Sequence, residues 1–164
     1  MRDEFDSTDR SILALLQDDA SLTAADVAEK VGLSQSPCWR RIARLERLGI
    51  IRRRVALLDS KKLGLGVTVF TEVKIGRGSR EAVGKFEEAV RALPEVQECH
   101  MLMGDTDYLL KVVTRDVATY ETFLREKLAR LPAVGGIRSS MALTAVKEST
   151  ALPLELVVGR EAGG

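Results

Sequence analysis

Hydrophobic positions in the first third of the chain recur at helical spacing and are punctuated by glycines. Ile12, Leu13, Leu15 and Leu16 form one apolar stripe, which predicts a helix from about Ser7 or Thr8 to Gln17, with Asp6 and Ser7 as cap candidates. A second helix starts after Thr23. Asp26 stands where the acid of a capping box belongs, and Leu22 and Val27 have the spacing of a hydrophobic staple. Gly32 ends that helix. A third begins at Ser34 or Ser36, tolerates Pro37 in its first turn and stops at Gly49. Ile50-Ile51 and Val55-Ala56-Leu57-Leu58 then read as two short strands of a wing. Helix, glycine turn, helix is the helix-turn-helix pattern.

Beyond a hinge the periodicity changes. Strands are expected at about 65–75, 96–103, 108–114 and 137–147, with the turn Gly76-Arg77-Gly78 closing the first. Helices are expected at about 79–92, burying Val83, Phe86 and Val90, and at about 117–130, burying Tyr120, Leu124 and Leu128. Leu93-Pro94-Glu95-Val96 and Leu131-Pro132-Ala133-Val134 echo each other, each leading from helix to strand. The fold class is therefore α+β: an N-terminal winged helix-turn-helix followed by a ferredoxin-like β-α-β-β-α-β domain. The expected divisions are 1–55 for the first domain, 56–66 for the hinge, 67–158 for the second domain and 159–164 for a disordered tail. Both helices would cover one sheet face. The other, drawn from Val67, Phe70, Met101, Met103, Leu109 or their strand neighbours, would be apolar and would pack sheet against sheet with a second copy.

Composition adds limits. The chain is 45% hydrophobic and 30% charged, with a formal net charge of +1. No apolar run reaches the roughly 18 residues that span a bilayer, and the acidic start Met1–Asp6 lacks the core of a secretory signal, so a cytoplasmic protein without a membrane partner is expected. Cys38 and Cys99 stand too far apart in sequence to suggest a disulfide framework or metal pair, and both read as small buried hydrophobes. No metal or cofactor is expected.

Charge distribution is more telling than the net value. From Arg40 to Lys62 there are nine basic residues, opposed only by Glu46 and Asp59. On a helical wheel Cys38, Ile42 and Leu45 form the buried stripe of the third helix, while Ser36, Arg40, Arg44 and Arg47 fall nearly opposite. Guanidiniums on one helix face suit phosphates and guanine edges. The expected DNA-binding set is Ser34, Gln35, Ser36, Arg40, Arg41, Arg44, Arg47, Arg53 and Arg54, with double-stranded DNA as partner. Trp39, on a flank, is expected to pack on the neighbouring helix.

Leu33-Ser34-Gln35-Ser36-Pro37-Cys38-Trp39-Arg40-Arg41-Ile42, Arg44-Leu45-Glu46 and Gly49-Ile50-Ile51 resemble the helix-turn-helix of the Lrp/AsnC regulators. Asp9-Arg10-Ser11-Ile12-Leu13 looks like their first helix. Val96-Gln97-Glu98-Cys99-His100 and Gly104-Asp105-Thr106-Asp107-Tyr108-Leu109-Leu110-Lys111 resemble their effector domain, so the likeness covers about 6–154. It implies a DNA-binding transcriptional regulator, an amino-acid effector held where dimers meet, and homodimers that assemble to tetramers or octamers. Two departures stand out. Arg53-Arg54-Val55-Ala56 replaces the family's Gly-Tyr-Thr-Ala, and Pro132-Ala133-Val134 replaces Pro-Gly-Val.

Read alone, Gly104-Asp105-Thr106-Asp107 is an ordinary hairpin turn. The resemblance turns it into an effector site, with Ser139 and Ser140 as further candidates and Met101, Met103, Leu109 and Met141 as apolar neighbours. Two alternatives remain: a sirohaem decarboxylase of the same two-domain outline, or an amino-acid-binding oligomer without DNA binding. The one histidine, His100, reads as structural, and no nucleophile–base pair or phosphate loop stands elsewhere, so no enzyme is expected.

Overall fold

The computed structural model describes residues 6–76 and 79–157. Two compact units emerge. The first runs through Leu57 and takes up the chain again from Lys147, while the second is Leu58–Val146. The segment after residue 146, expected with the second domain, thus belongs to the first unit.

In the first unit, α1 (Ser7–Asp18), α2 (Ala24–Val31) and α3 (Gln35–Arg47) enclose a core of Ile12, Leu16, Val27, Ala28, Cys38, Ile42 and Leu45. Local chemistry sets each boundary. Asp6 caps α1 and Thr23 caps α2, each in a reciprocal box with the acid three residues on, Asp9 and Asp26. Gly32 ends α2 at φ 70° and Gly49 follows α3 at φ 71°, both in the left-handed region that costs glycine little. Ser34 caps α3 by position, but its side chain makes no cap bond.

The expected wing strands do not form. The amides of Ile50 and Ile51 both donate back to the Leu45 carbonyl, and residues 52–59 then continue without ladder bonds. The bonds to Leu45 hold Ile50 and Ile51 against the end of α3, which takes them from a ladder, and Val55, Leu57 and Leu58 stay exposed. The returning segment lies along α1. Gln17 donates from Nε2 to the Leu152 carbonyl (3.1 Å) and accepts the Leu152 amide at Oε1 (3.0 Å), as a neighbouring strand would, and Arg10 donates to the Val157 carbonyl (2.9 Å). The piece expected to be extended contains a single 3-10 turn at Leu154–Leu156.

The second unit holds β1 (Val67–Ile75), α4 (Arg80–Arg91), β2 (Val96–Met101), β3 (Tyr108–Thr114), α5 (Val117–Glu126) and β4 (Val134–Met141). The sheet is antiparallel in the order β2-β3-β1-β4, the arrangement of a ferredoxin-like fold. Boundaries differ from expectation at β1, which starts two residues late, at β2, which ends two residues early, and at β4, which starts three residues early and ends six residues early. The last helix gives way to a 3-10 turn at Leu128–Arg130. Val69, Val73, Tyr108, Leu110 and Val112 meet Phe86, Val90, Tyr120 and Phe123 to form the core.

Alternation corrects the reading of the open face. Val67 has the parity of Val69 and packs with the helix-side core, and Met101 pairs with Tyr108 and shares its face. Phe70, Leu109 and Val113 do face away, but among Glu72, Lys74, Glu98, His100, Lys111 and Arg138. His100 lies in β2, as expected of a strand residue, and is exposed, 3.1 Å from Glu98. Cys38 is buried as expected, whereas Cys99 is exposed. The expected disordered tail, the residues of the Gly76-Arg77-Gly78 turn after Gly76, and the acidic start before Asp6 lie outside the described residues.

Candidate nucleic-acid interface and effector turn

The buried stripe of α3 matches the wheel: Cys38, Ile42 and Leu45 are all buried. Ser34, Gln35, Ser36, Arg40 and Arg47 are exposed. Arg41 and Arg44 lie closer to the core and turn toward α1. There Asp9, with 0% of its side chain exposed, receives Arg41 Nη1 at 3.0 Å and also pairs with Arg44 Nη2. Asp6 receives Arg41 at 2.7 Å. A carboxylate withdrawn this far from water persists only with cations against it. Partial burial pushes the Asp6 carboxyl up, but the Asp9 amide and the Arg41 guanidinium outweigh it and hold the group below the usual carboxylate range.

Two of the expected DNA-binding arginines thus brace the recognition helix against its neighbour. Neither acid appeared among the residues expected at the site. Their partners lie more than thirty positions away, so local periodicity gives no signal for the pairing. Arg54 is also engaged, with Glu46 at 3.3 Å and with the Ala20 carbonyl at 3.3 Å. That contact occupies the only acid of α3. Arg52 and Arg53 are exposed. Trp39, expected against the neighbouring helix, is 60% exposed instead.

In the second unit, residues 102–107 connect β2 to β3. Gly104 has φ 151°, and a side chain there would be strained although the space is open. Asp107 is already engaged: its Oδ2 accepts the Ile75 amide at 2.7 Å. Thr106 donates to Glu72 Oε2 at 3.1 Å, which makes Glu72 a neighbour that sequence reasoning missed. Asp105 stays exposed, near the exposed Met101 and Met103.

Ser139 and Ser140 do not join this turn within one chain. Ser139 pairs with Thr71 on the helix side, where its hydroxyl meets Tyr120, itself 2.9 Å from Thr71. Ser140 pairs with Phe70 on the open face, in the row of Lys111. Four residues of strand and two strand spacings separate that row from Asp107, roughly 13 Å along and 10 Å across. The loop before β4 is tight. Ala133 holds φ 65°, and a Cβ on Gly135 would stand 2.6 Å from the Gly76 backbone.

A braced three-helix module with exposed arginines, followed by a four-stranded antiparallel sheet that carries its helices on one face, has the architecture of a helix-turn-helix regulator with a separate second domain. Comparison with known proteins gives the particular family. Residues 5–52 match the family described as winged helix-turn-helix DNA-binding, and residues 68–152 match the Lrp/AsnC ligand binding domain. The chain is 40% identical over 152 residues to the leucine-responsive regulatory protein of Escherichia coli (strain K12), covering 93% of each chain. It is 36% identical over 150 residues to the transcriptional regulator AzlB of Bacillus subtilis, covering 92% of this chain and 96% of that one. An AsnC family regulator from Agrobacterium tumefaciens has a similar structure (TM-score 0.89, 44% identity, 94% of this chain and 100% of that one). So has a Neisseria meningitidis regulator solved with L-Met (TM-score 0.89, 38% identity, 92% and 97%). The chain belongs to the Lrp/AsnC family: it is a transcriptional regulator with a DNA-binding helix-turn-helix and an effector-binding domain.

Proposed function

We propose that α3 enters the major groove with Ser34, Gln35, Ser36, Arg40 and Arg47 toward the DNA, while Arg52 and Arg53 follow the phosphate backbone. The observation that carries this division of labour is where the charges go. Arg41 and Arg44 turn to Asp6 and Asp9, Arg54 takes up Glu46, and the exposed face is left with cations alone. Arg41, Arg44 and Arg54 then act by holding the module in shape. A duplex selected from a random pool by the protein tests this reading. Arg40→Ala should weaken the selected duplex by roughly 1–3 kcal/mol if that arginine reads a base. Arg53→Ala should weaken every duplex alike and lower the salt slope by about 0.9. Equal, small losses from both variants would count against it.

The effector is an amino acid in this reading. The relative solved with L-Met supports the class. Asp105 offers a carboxylate for an ammonium, the turn around Gly104 offers amides, and Met101 and Met103 offer apolar contact. Charged sheet faces of two copies would pair, with further assembly of dimers in the cytoplasm. Ser139 and Ser140, facing opposite ways, contribute only through such neighbours. Calorimetry with a panel of amino acids, and Asp105→Asn beside it, checks the assignment: heat that survives the substitution unchanged removes Asp105 from the site.

A further inference from the structure

We infer that Trp39 is a specificity-determining residue that reads a thymine 5-methyl group in the major groove. The inference rests on the DNA-binding reading of α3. Trp39 is the chain's one tryptophan, and 60% of it is exposed on the helix whose other large apolar side chains, Ile42 and Leu45, are buried. An indole left mostly in water forgoes apolar burial, and a surface that covers it in the working complex recovers that burial. The position selects the occupant. Trp39 adjoins Arg40 in the first half of α3, one turn from Gln35 and Ser36, and the helix's only acid is drawn away to Arg54. That setting is cationic, which favours a polyanion over a second protein chain.

Within a groove, an indole carries one N–H donor and a broad apolar face. Apolar contact distinguishes thymine by its methyl group, which cytosine and uracil lack. Arginines beside it contact guanine edges or phosphates, so the indole supplies discrimination that the cations do not.

The single tryptophan makes its own emission the readout. The full chain is titrated with the duplex selected from a random pool, with the same duplex carrying uracil for thymine one position at a time, and with an unrelated duplex of equal length. The selected duplex should shift Trp39 emission to the blue and protect it from acrylamide. Uracil at one or two positions should weaken the unsubstituted protein about fourfold, the worth of one buried methyl group, and leave Trp39→Ala unaffected. Trp39→Ala should lose about tenfold on the selected duplex and less than about twofold on the unrelated one, with its salt slope unchanged, because the indole neutralises no phosphate. Trp39→Phe should keep most of the thymine preference. Emission that ignores saturating selected duplex overturns the inference, as does insensitivity to uracil at every position or equal loss of both duplexes in Trp39→Ala. Salt-dependent binding that persists in those cases leaves the DNA-binding reading intact. Absence of binding to any duplex overturns both.

Discussion

Ala133 carries backbone strain that one atom would relieve. Its φ of 65° lies where a Cβ crowds the following carbonyl, and glycine escapes that contact. Ala133→Gly should raise thermal stability by up to about 1 kcal/mol, the relief of strain exceeding the entropy that glycine adds to the unfolded chain. A drop in melting temperature would show that the loop tolerates alanine freely. Asp9 presents the opposite case. Removing it takes a buried carboxylate away from Arg41, which keeps Asp6, and from Arg44, and it breaks the capping box of α1, so Asp9→Ala should cost about 2 kcal/mol, read by denaturant titration. Asp6 adds a pH dependence. Its folded pKa lies below its unfolded value, so its contribution is present above about pH 4 and is lost as the pH falls through the folded pKa. Asp6→Asn should flatten the acid limb of the stability curve below that pH.

At the scale of elements, what the sequence discloses follows the range of the interaction. Thr23, Asp26 and Gly32 announce α2 because a cap and its acid lie three residues apart. Cys38, Ile42 and Leu45 announce the buried face of α3 for the same reason, and the order of strands and helices in the second unit follows from periodicity. Asp9 with Arg41 does not show itself, because nothing in either local window pairs them. The wheel placed Arg44 outward by angle alone, and a long side chain reached back. The opposite facing of Ser139 and Ser140 is legible in the period-two geometry of any strand, so the turn and the last strand are separable from sequence. The missing wing strands reflect a third limit: β-branched and apolar residues at Ile50, Ile51 and Val55–Leu58 favour strands, but the amides of Ile50 and Ile51 are taken by the Leu45 carbonyl at the end of α3. The segment along α1 admits a direct check. Gln17→Ala removes both bonds to Leu152, and exchange of the Leu152 amide with solvent should accelerate at least tenfold while the core of α3 stays protected. Unchanged exchange would mean that the segment is held elsewhere.

For the whole molecule, the net charge of +1 conceals a segregated distribution. The DNA-reading unit concentrates exposed arginines, whereas the open sheet face mixes signs, with Glu98 3.6 Å from Lys111. Binding to DNA should therefore fall steeply with salt, by about 0.9 in log–log slope for each phosphate neutralised. An amino-acid effector that couples to DNA should shift that affinity by about 1–3 kcal/mol, and DNA should shift effector affinity by the same amount. Measuring both arms of that cycle distinguishes linkage from two independent binding events.

The chain's path also has a bearing on how the protein is made. The first unit's helices precede residue 58, but its last piece follows residue 146, so the sheet domain is threaded as an insertion between two parts of one folded body. The three helices emerge first and their core is complete without the returning segment. Docking at Gln17 and Arg10 closes a ring around the entire second unit, and the entropy of closing it is smaller once that unit has folded and drawn its ends to fixed positions. The contact of the returning segment with α1 therefore cannot form until the effector domain has been synthesised, and it forms at lower entropic cost once that domain has folded.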